Sequence, residues 1–464
     1  MMKWIVIATT VVVLLTFVVS PVWSEVGDIE FRIGGEGAQH ALPHTSFKKD
    51  KDVNIKSWTT STTTNTKGKK TDQLLLASDE KGVFASRDIK EGEEIVSLSW
   101  FDTFSADRIK AEDPWLFDQI VKLELISEDA LAVALLYYRY CKEELSEDYS
   151  QWFSAFPETL NTGLYFTEEE IDLLRGSPAY VHIQVVKSET KQVFERLRSS
   201  LFQSKQFELC TITWDRFKWA TSIVTSRKMY TDAPGVDEQG NPVLTVVLAP
   251  FIDHFNHNED AQAVYDFDHQ SATIKVTTIR PVKSGEQIFF NYGNQDCNSD
   301  LLVDFGFIDQ SPTRKNCVNI LIEELVETMA KNDPKLKEKT EILQQSFEEN
   351  GRMKLFKDSL TEELLKLIKY LSYKNQSLLH FLQKLVELKK NNYPSTLEDD
   401  QTLVATDTFK NMSYRAKLAI KMRLQEKEIL RDIGKLIQDQ IAQTEKQTTD
   451  TTTTTNSAKG RDEL

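Results

Sequence analysis

Pro250-Phe251-Ile252-Asp253-His254-Phe255-Asn256-His257, followed further on by Gly285-Glu286-Gln287-Ile288-Phe289-Phe290-Asn291-Tyr292-Gly293, is the most informative part of this chain. The first stretch packs an acid, two imidazoles and an amide between apolar residues. Those groups together supply both donors and acceptors for a polar ligand. The second opens on a turn glycine, runs through the β-like Gln287-Ile288-Phe289-Phe290 and closes on Asn-Tyr-Gly. Two histidines in four residues raise the question of a metal, but no Glu or Cys framework accompanies them, and no metal is expected.

Two further segments complete the pattern: Lys81-Gly82-Val83-Phe84-Ala85 leading on to Glu94-Ile95, and Asp304-Phe305-Gly306-Phe307. In this order and combination the chain resembles the SET-domain methyltransferases. It is most similar to the branch that includes Rubisco large-subunit lysine methyltransferase and the actin-histidine methyltransferase. The resemblance covers residues 74–310, with a helical insert at about 101–225. Residues 318–445 resemble that branch's substrate-binding domain, with apolar residues at helical spacing and few glycines. The implied fold is α+β: a β-rich SET domain with a helical insertion, then an all-α substrate-binding domain.

The resemblance also implies roles. Glu80, Lys81 and Gly82 match the loop that grips S-adenosyl-L-methionine, and glycine there leaves the backbone open to close approach. The family usually has glycine where this chain has Glu80. Asn256 and His257 match the cofactor-binding Asn-His pair. Arg227 matches the arginine that meets the methyl donor's carboxylate, a planar two-bond pairing that lysine cannot copy. Tyr292 matches the catalytic phenol, which would orient an amine for in-line attack. Asp253 matches a substrate-side acid; a turn or cap is its plain alternative. Phe305 stands where the lysine-modifying enzymes often have tyrosine, which bears on acceptor identity and on the number of methyl groups added.

Outward from this region, the ends carry an address. Lys3 followed by the apolar run Trp4 to Val19, with Pro21 beyond it, has the layout of a secretory signal peptide over residues 1–24. The run is shorter than the ~20 residues that span a bilayer, so no stable membrane span is expected after cleavage. Arg461-Asp462-Glu463-Leu464 matches a retrieval tetrapeptide, and the expected compartment is the endoplasmic reticulum lumen. Residues 25–73 read as a flexible leader and 446–464 as a flexible tail. Asn375-Gln376-Ser377 and Asn411-Met412-Ser413 are glycosylation sequons, usable only in the lumen.

Composition bounds the function. The chain has 464 residues, 56 Lys plus Arg and 71 Asp plus Glu, a net charge of −15. That balance argues against nucleic-acid binding through the overall field. Four cysteines are too few and too dispersed for a disulfide-stapled mini-protein or a zinc module; an oxidising compartment would allow one or two disulfides. Two functions stay open at this point. One is methylation of a protein side-chain nitrogen, lysine ahead of histidine, on a substrate docked by the helical domain. The other is a non-catalytic SET scaffold that binds a partner in the secretory lumen. The oligomeric state is not legible.

Overall fold

The structure, a computed structural model, describes residues 53–55 and 82–459, apart from residues 86, 143, 146, 209, 237–239, 294–296, 311–316, 351–352 and 375–376. The signal stretch 1–24, Glu80, Lys81, Asn375 and Arg461–Leu464 lie outside the described residues.

Short strands with alternating burial build the β-rich part. Strand β3 (Glu94–Ser99) pairs antiparallel with β8 (Thr273–Thr278), which pairs in turn with β7 (Ala263–Asp268). In β8, Ile274 and Val276 point inward and their neighbours outward, so one face packs while the other meets solvent. A second sheet has the order β1-β2-β9-β6. There β2 (Val83–Ala85) runs antiparallel to β9 (Gln287–Phe290), and β6 (Asn256–His257) lies parallel to β9. These faces enclose a core that includes Val83, Ile95, Trp100, Phe255, Val276 and Ile288.

The insert is helical, as expected. Its central helix, Ser127–Leu136, is apolar all round and buried from Ala130 to Leu136, the signature of a helix with no solvent face. Aromatic residues from the insert, among them Phe104, Tyr149, Trp152 and Phe153, pack around it. The insert ends in helix Trp214–Arg227, capped by the Thr213 side chain. The C-terminal part is a bundle in which the stripe Leu364, Ile368 and Leu371 is core. All four cysteines are paired, Cys141 with Cys210 inside the insert and Cys297 with Cys317. The second bridge ties the helix after the Asn-Tyr-Gly motif to β10 (Cys317–Asn319), the first element of the C-terminal part.

Several elements differ from the sequence reading. A short strand, β1 (Val53–Ile55), pairs with β2 inside the stretch read as leader. The hairpin β4 (Lys228–Val236) and β5 (Pro242–Leu248) forms where prolines and glycines pointed to loop; its register shift between Asp232 and Val236 lets the ladder absorb Pro234 and Gly235. The last helical stretch of the C-terminal domain is two helices, Asp407–Lys410 and Tyr414–Lys459, and the second runs on into the stretch read as tail. Helix Leu397–Val404 was not anticipated; its capping box at Thr396 and Asp399 was the local signal. Among the described residues no helix is long and apolar enough to cross a membrane.

Candidate functional site

A cleft of about 780 Å³ opens where the second sheet, the insert and the last helix converge. Its walls include Gly82, Arg227, Asn256, His257, Tyr292 and Phe305, so the described part of the sequence-derived site comes together. Glu80 and Lys81 are not among the described residues.

The backbone delivers these groups in a definite order. Phe251 adopts φ 73°, a left-handed conformation that is costly for a bulky aromatic and is held by burial. It starts the turn Ile252–His254, from which the chain enters β6. Parallel pairing then sets Asn256 opposite Phe289 and His257 opposite Phe290. The rings of Phe255 and Phe290 stack at 4.3 Å and lock that register from behind. Beyond β9 the chain turns at Asn291, whose Oδ1 accepts from the Gly293 N–H, and this turn presents Tyr292.

Tyr292 is held from two sides. Its backbone N–H donates to His257 Nδ1 at 3.0 Å, and its hydroxyl donates to the Phe255 carbonyl at 2.6 Å. Burial, with a further contribution from Asp253, pushes the phenol's pKa up to about 12 although Arg227 pulls it down. At neutral pH the group is therefore a phenol and no base. Since its proton goes to Phe255, its oxygen lone pairs are left to accept from a ligand.

His257 takes the complementary role. Accepting at Nδ1 means that the neutral ring carries its proton on Nε2. That nitrogen is buried, lies 3.6 Å from Asp309 Oδ2 and has no hydrogen-bond partner among the described residues. Arg227 is similar. Its Nη1 donates to the Asp253 carbonyl at 2.8 Å, while its buried Nε has no hydrogen-bond partner among the described residues. Two buried donors beside one cleft that make no hydrogen bond among the described residues are costly unless a ligand supplies closer acceptors.

Asp253 lines the cleft, but its carboxylate has no exposed surface. It accepts from Trp152 Nε1 at 3.1 Å, lies 2.8 Å from His254 Nδ1 and pairs with Arg227 at 3.4 Å. Burial opposes its charge; His254, Arg227 and Trp152 outweigh burial and hold its pKa below the usual range. The acid thus holds Arg227 in place. Phe305 lies with its ring 4.9 Å from that of Tyr292, and Phe307 completes an aromatic wall. Gly306 between them adopts φ 76° as the cap of helix Asn298–Phe305, and a Cβ there would come within 2.7 Å of the Asn161 carbonyl oxygen.

The donor set fits the nucleoside and amino-acid ends of the methyl donor that the resemblance implies. Gly82 makes the cradle: a Cβ on it would overlap the Gln287 amide and come within 2.8 Å of Asn256 Nδ2. Asn256, the Nε2–H of His257 and the Nε–H of Arg227 are the groups that would hold it. Sequence reasoning missed Trp152, Asp309, Lys417 and Lys421. The first two carry no local signal. The lysines do, since Tyr414, Lys417, Leu418 and Lys421 are spaced to share one helix face.

The SET domain family matches residues 80–293, and the Rubisco LSMT substrate-binding family matches residues 353–430. The chain thus carries a SET domain, followed by a helical domain that matches the Rubisco LSMT substrate-binding family. Among its relatives is the actin-histidine N-methyltransferase of Drosophila melanogaster, 28% identical over 210 residues, which are 40% of this chain and 38% of that one. Another is the [fructose-bisphosphate aldolase]-lysine N-methyltransferase of Arabidopsis thaliana, 23% identical over 420 residues and 80% of each chain. The chain thus spans under half of the fly protein's length and most of the plant protein's. The solved structure of Rubisco LSMT bound to AdoMet shares the fold, with a TM-score of 0.55 and 21% identity over 77% of this chain and 85% of that one.

Proposed function

We propose that the protein methylates a side-chain nitrogen of another protein, with S-adenosylmethionine as donor and lysine ahead of histidine as acceptor. The observation that carries this reading is the arrangement of Tyr292: a neutral, half-buried phenol that lines the cleft, with its proton committed to the Phe255 carbonyl and its oxygen lone pairs left to accept. When bound, the donor would supply a methyl group on a sulfonium.

The residues of this chain do the rest. Arg227, held by Asp253, meets a carboxylate, and Asn256 and His257 meet polar groups of the nucleoside end. Tyr292 accepts an N–H of the incoming amine, which turns the nitrogen lone pair away from the phenol and along the cleft. A lysine must first lose a proton, with a reference pKa of about 10.4. Desolvation in the cleft and the nearby Arg227 cation both disfavour the ammonium, so no side-chain base is required. The rings of Tyr292, Phe305 and Phe307 give a flexible alkyl amine an apolar wall, which supports lysine.

The test is calorimetric titration of the purified chain with S-adenosylmethionine. It is followed by transfer of labelled methyl into a protein extract and mass-spectrometric assignment of the modified residue. Saturable binding and a label on lysine are expected. No binding at millimolar donor defeats the enzyme reading in favour of the scaffold, and a label on histidine corrects the acceptor.

For the compartment we propose the endoplasmic reticulum lumen. The signal-like stretch 1–24 and Arg461–Leu464 support it, and so does the pairing of all four cysteines, since disulfides persist in oxidising compartments. Asn411 is exposed at the C-terminal cap of helix Asp407–Lys410, where an oligosaccharyltransferase could reach it. Immunoblotting with and without glycosidase checks this. A glycosidase-sensitive, cell-retained chain is expected, which moves to the medium when residues 461–464 are deleted; a cytosolic, glycan-free chain overturns the assignment.

A further inference from the structure

One rim of the cleft carries charge that the chemistry above does not use. Lys417 and Lys421 stand one turn apart on helix Tyr414–Lys459 and line the cleft together with Tyr414 and Leu418. Both are half-buried. Three neighbouring cations of this helix are matched: Arg415 pairs with Glu170, and Arg423 and Lys427 pair with Asp400. Among the described residues neither Lys417 nor Lys421 has a carboxylate within ion-pair distance, although the chain as a whole carries −15. The two carboxylates that line the cleft face elsewhere, Asp253 toward Arg227 and His254, and Asp309 toward His257.

Like charges four residues apart on a helix repel. Half-burial adds to that cost, and burial together with Lys417 holds the Lys421 pKa below its ordinary value. Both penalties are relieved when an anion sits between the two ammonium groups. On the proposed function the donor's carboxylate already has Arg227. The lysines belong instead to helix Tyr414–Lys459, in the helical part of the chain.

Resting on the methyltransferase reading, we propose that Lys417 and Lys421 select the substrate: the cleft takes an acidic segment of protein, with an Asp or Glu side chain flanking the acceptor residue and lying between the two lysines. The pair acts on substrate binding rather than on the transfer step. Its contribution weakens as salt rises, because part of it remains solvent-accessible.

The experiment uses the full chain and fluorescein-labelled 12-residue peptides with a central lysine, flanked by Asp and Glu, by Ser and Gly, or by Lys and Arg; a matched set carries a central histidine. Binding is read by fluorescence anisotropy at low and high salt, and donor affinity by calorimetry on the same samples. The parent should bind the acidic peptides at least tenfold tighter than the basic ones, with the gap closing at high salt. The Lys417→Glu/Lys421→Glu chain should invert that order, the milder Lys417→Gln/Lys421→Gln chain should flatten it, and both should bind donor within twofold of the parent. An order that survives charge reversal overturns the proposal, as does a parent that prefers neutral or basic flanks. A loss of donor affinity in the Gln chain overturns it too, by assigning the lysines to the donor carboxylate. If the parent binds no donor and the peptide order still inverts, the methyltransferase reading falls while the acidic-segment assignment stands.

Discussion

The Tyr292 hydroxyl donates its proton to a carbonyl of the same strand region that carries Asn256 and His257, which couples acceptor alignment to the donor-side residues. Removing the hydroxyl leaves the ring, its contact with Phe305 and the backbone bond to His257 intact. Tyr292→Phe should therefore keep donor affinity within about twofold while turnover falls by about one to three orders of magnitude, the size of a lost transition-state hydrogen bond. Calorimetry and single-turnover kinetics on the same preparation check it, and unchanged turnover removes Tyr292 from its role. At this scale the sequence was most informative about residues that lie in compact motifs. Gly82, Asn256, His257 and Tyr292 fall in short strands or the turns beside them, where neighbours along the chain also set direction. Arg227 was legible at the end of its helix. Asp253 shows the limit: its position was readable, but the inward turn of its carboxylate depends on Trp152, which lies 101 residues away in sequence.

Elements whose burial follows a simple period were visible in advance. Strand β9 has the expected bounds, burial in β8 alternates with a period of two, and Leu364, Ile368 and Leu371 pack as core because their spacing matches one helix face. The hairpin β4–β5 was hidden by its own composition. Pro234, Gly235, Gly240 and Pro242 are local signals for loop, and only the partner strand, with a shifted register, turns them into a ladder. The break between Lys410 and Tyr414 was hidden for the opposite reason. Apolar spacing continues across it, while Ser413 leaves the helical path to hydrogen-bond Glu170 and cap the helix that follows. Tertiary partners override local propensity in both cases.

Across the whole molecule, the two halves are joined by buried polar contacts. Ser177 and Tyr393 both donate to Glu426, at 3.0 and 2.8 Å, and no part of Glu426 is exposed. Burial pushes its pKa up from 4.5 to about 7, against the two hydroxyls and Lys389; Glu324 adds to the rise. The folded value lies above the unfolded one, so the unfolded chain releases this proton first. Stability is full below about pH 4.5 and falls as pH rises through about 7, by an amount of order 3 kcal/mol. Glu426→Gln removes that loss. Its Tm should match the parent's near pH 5 and exceed it near pH 8. Melting curves across this range decide it: parallel pH profiles for parent and variant show that folding does not raise the Glu426 pKa.

The amino-acid sequence alone determined the order of the domains, the α+β class and the candidate cleft residues Gly82, Asn256, His257 and Tyr292, because each rests on residues close together in the chain. The same local basis supplied the expected compartment. Tertiary structure decided what depends on convergence from afar. It paired Cys141 with Cys210, turned Asp253 inward onto Arg227, left the buried Nε–H of Arg227 and Nε2–H of His257 without a hydrogen bond among the described residues, and set Lys417 and Lys421 along the cleft. Hydrogen bonds and ion pairs act over a few ångströms in space, and the distance along the chain does not enter their energy. A site assembled from a sheet, an insert and the last helix therefore has its charges set only when those parts have packed.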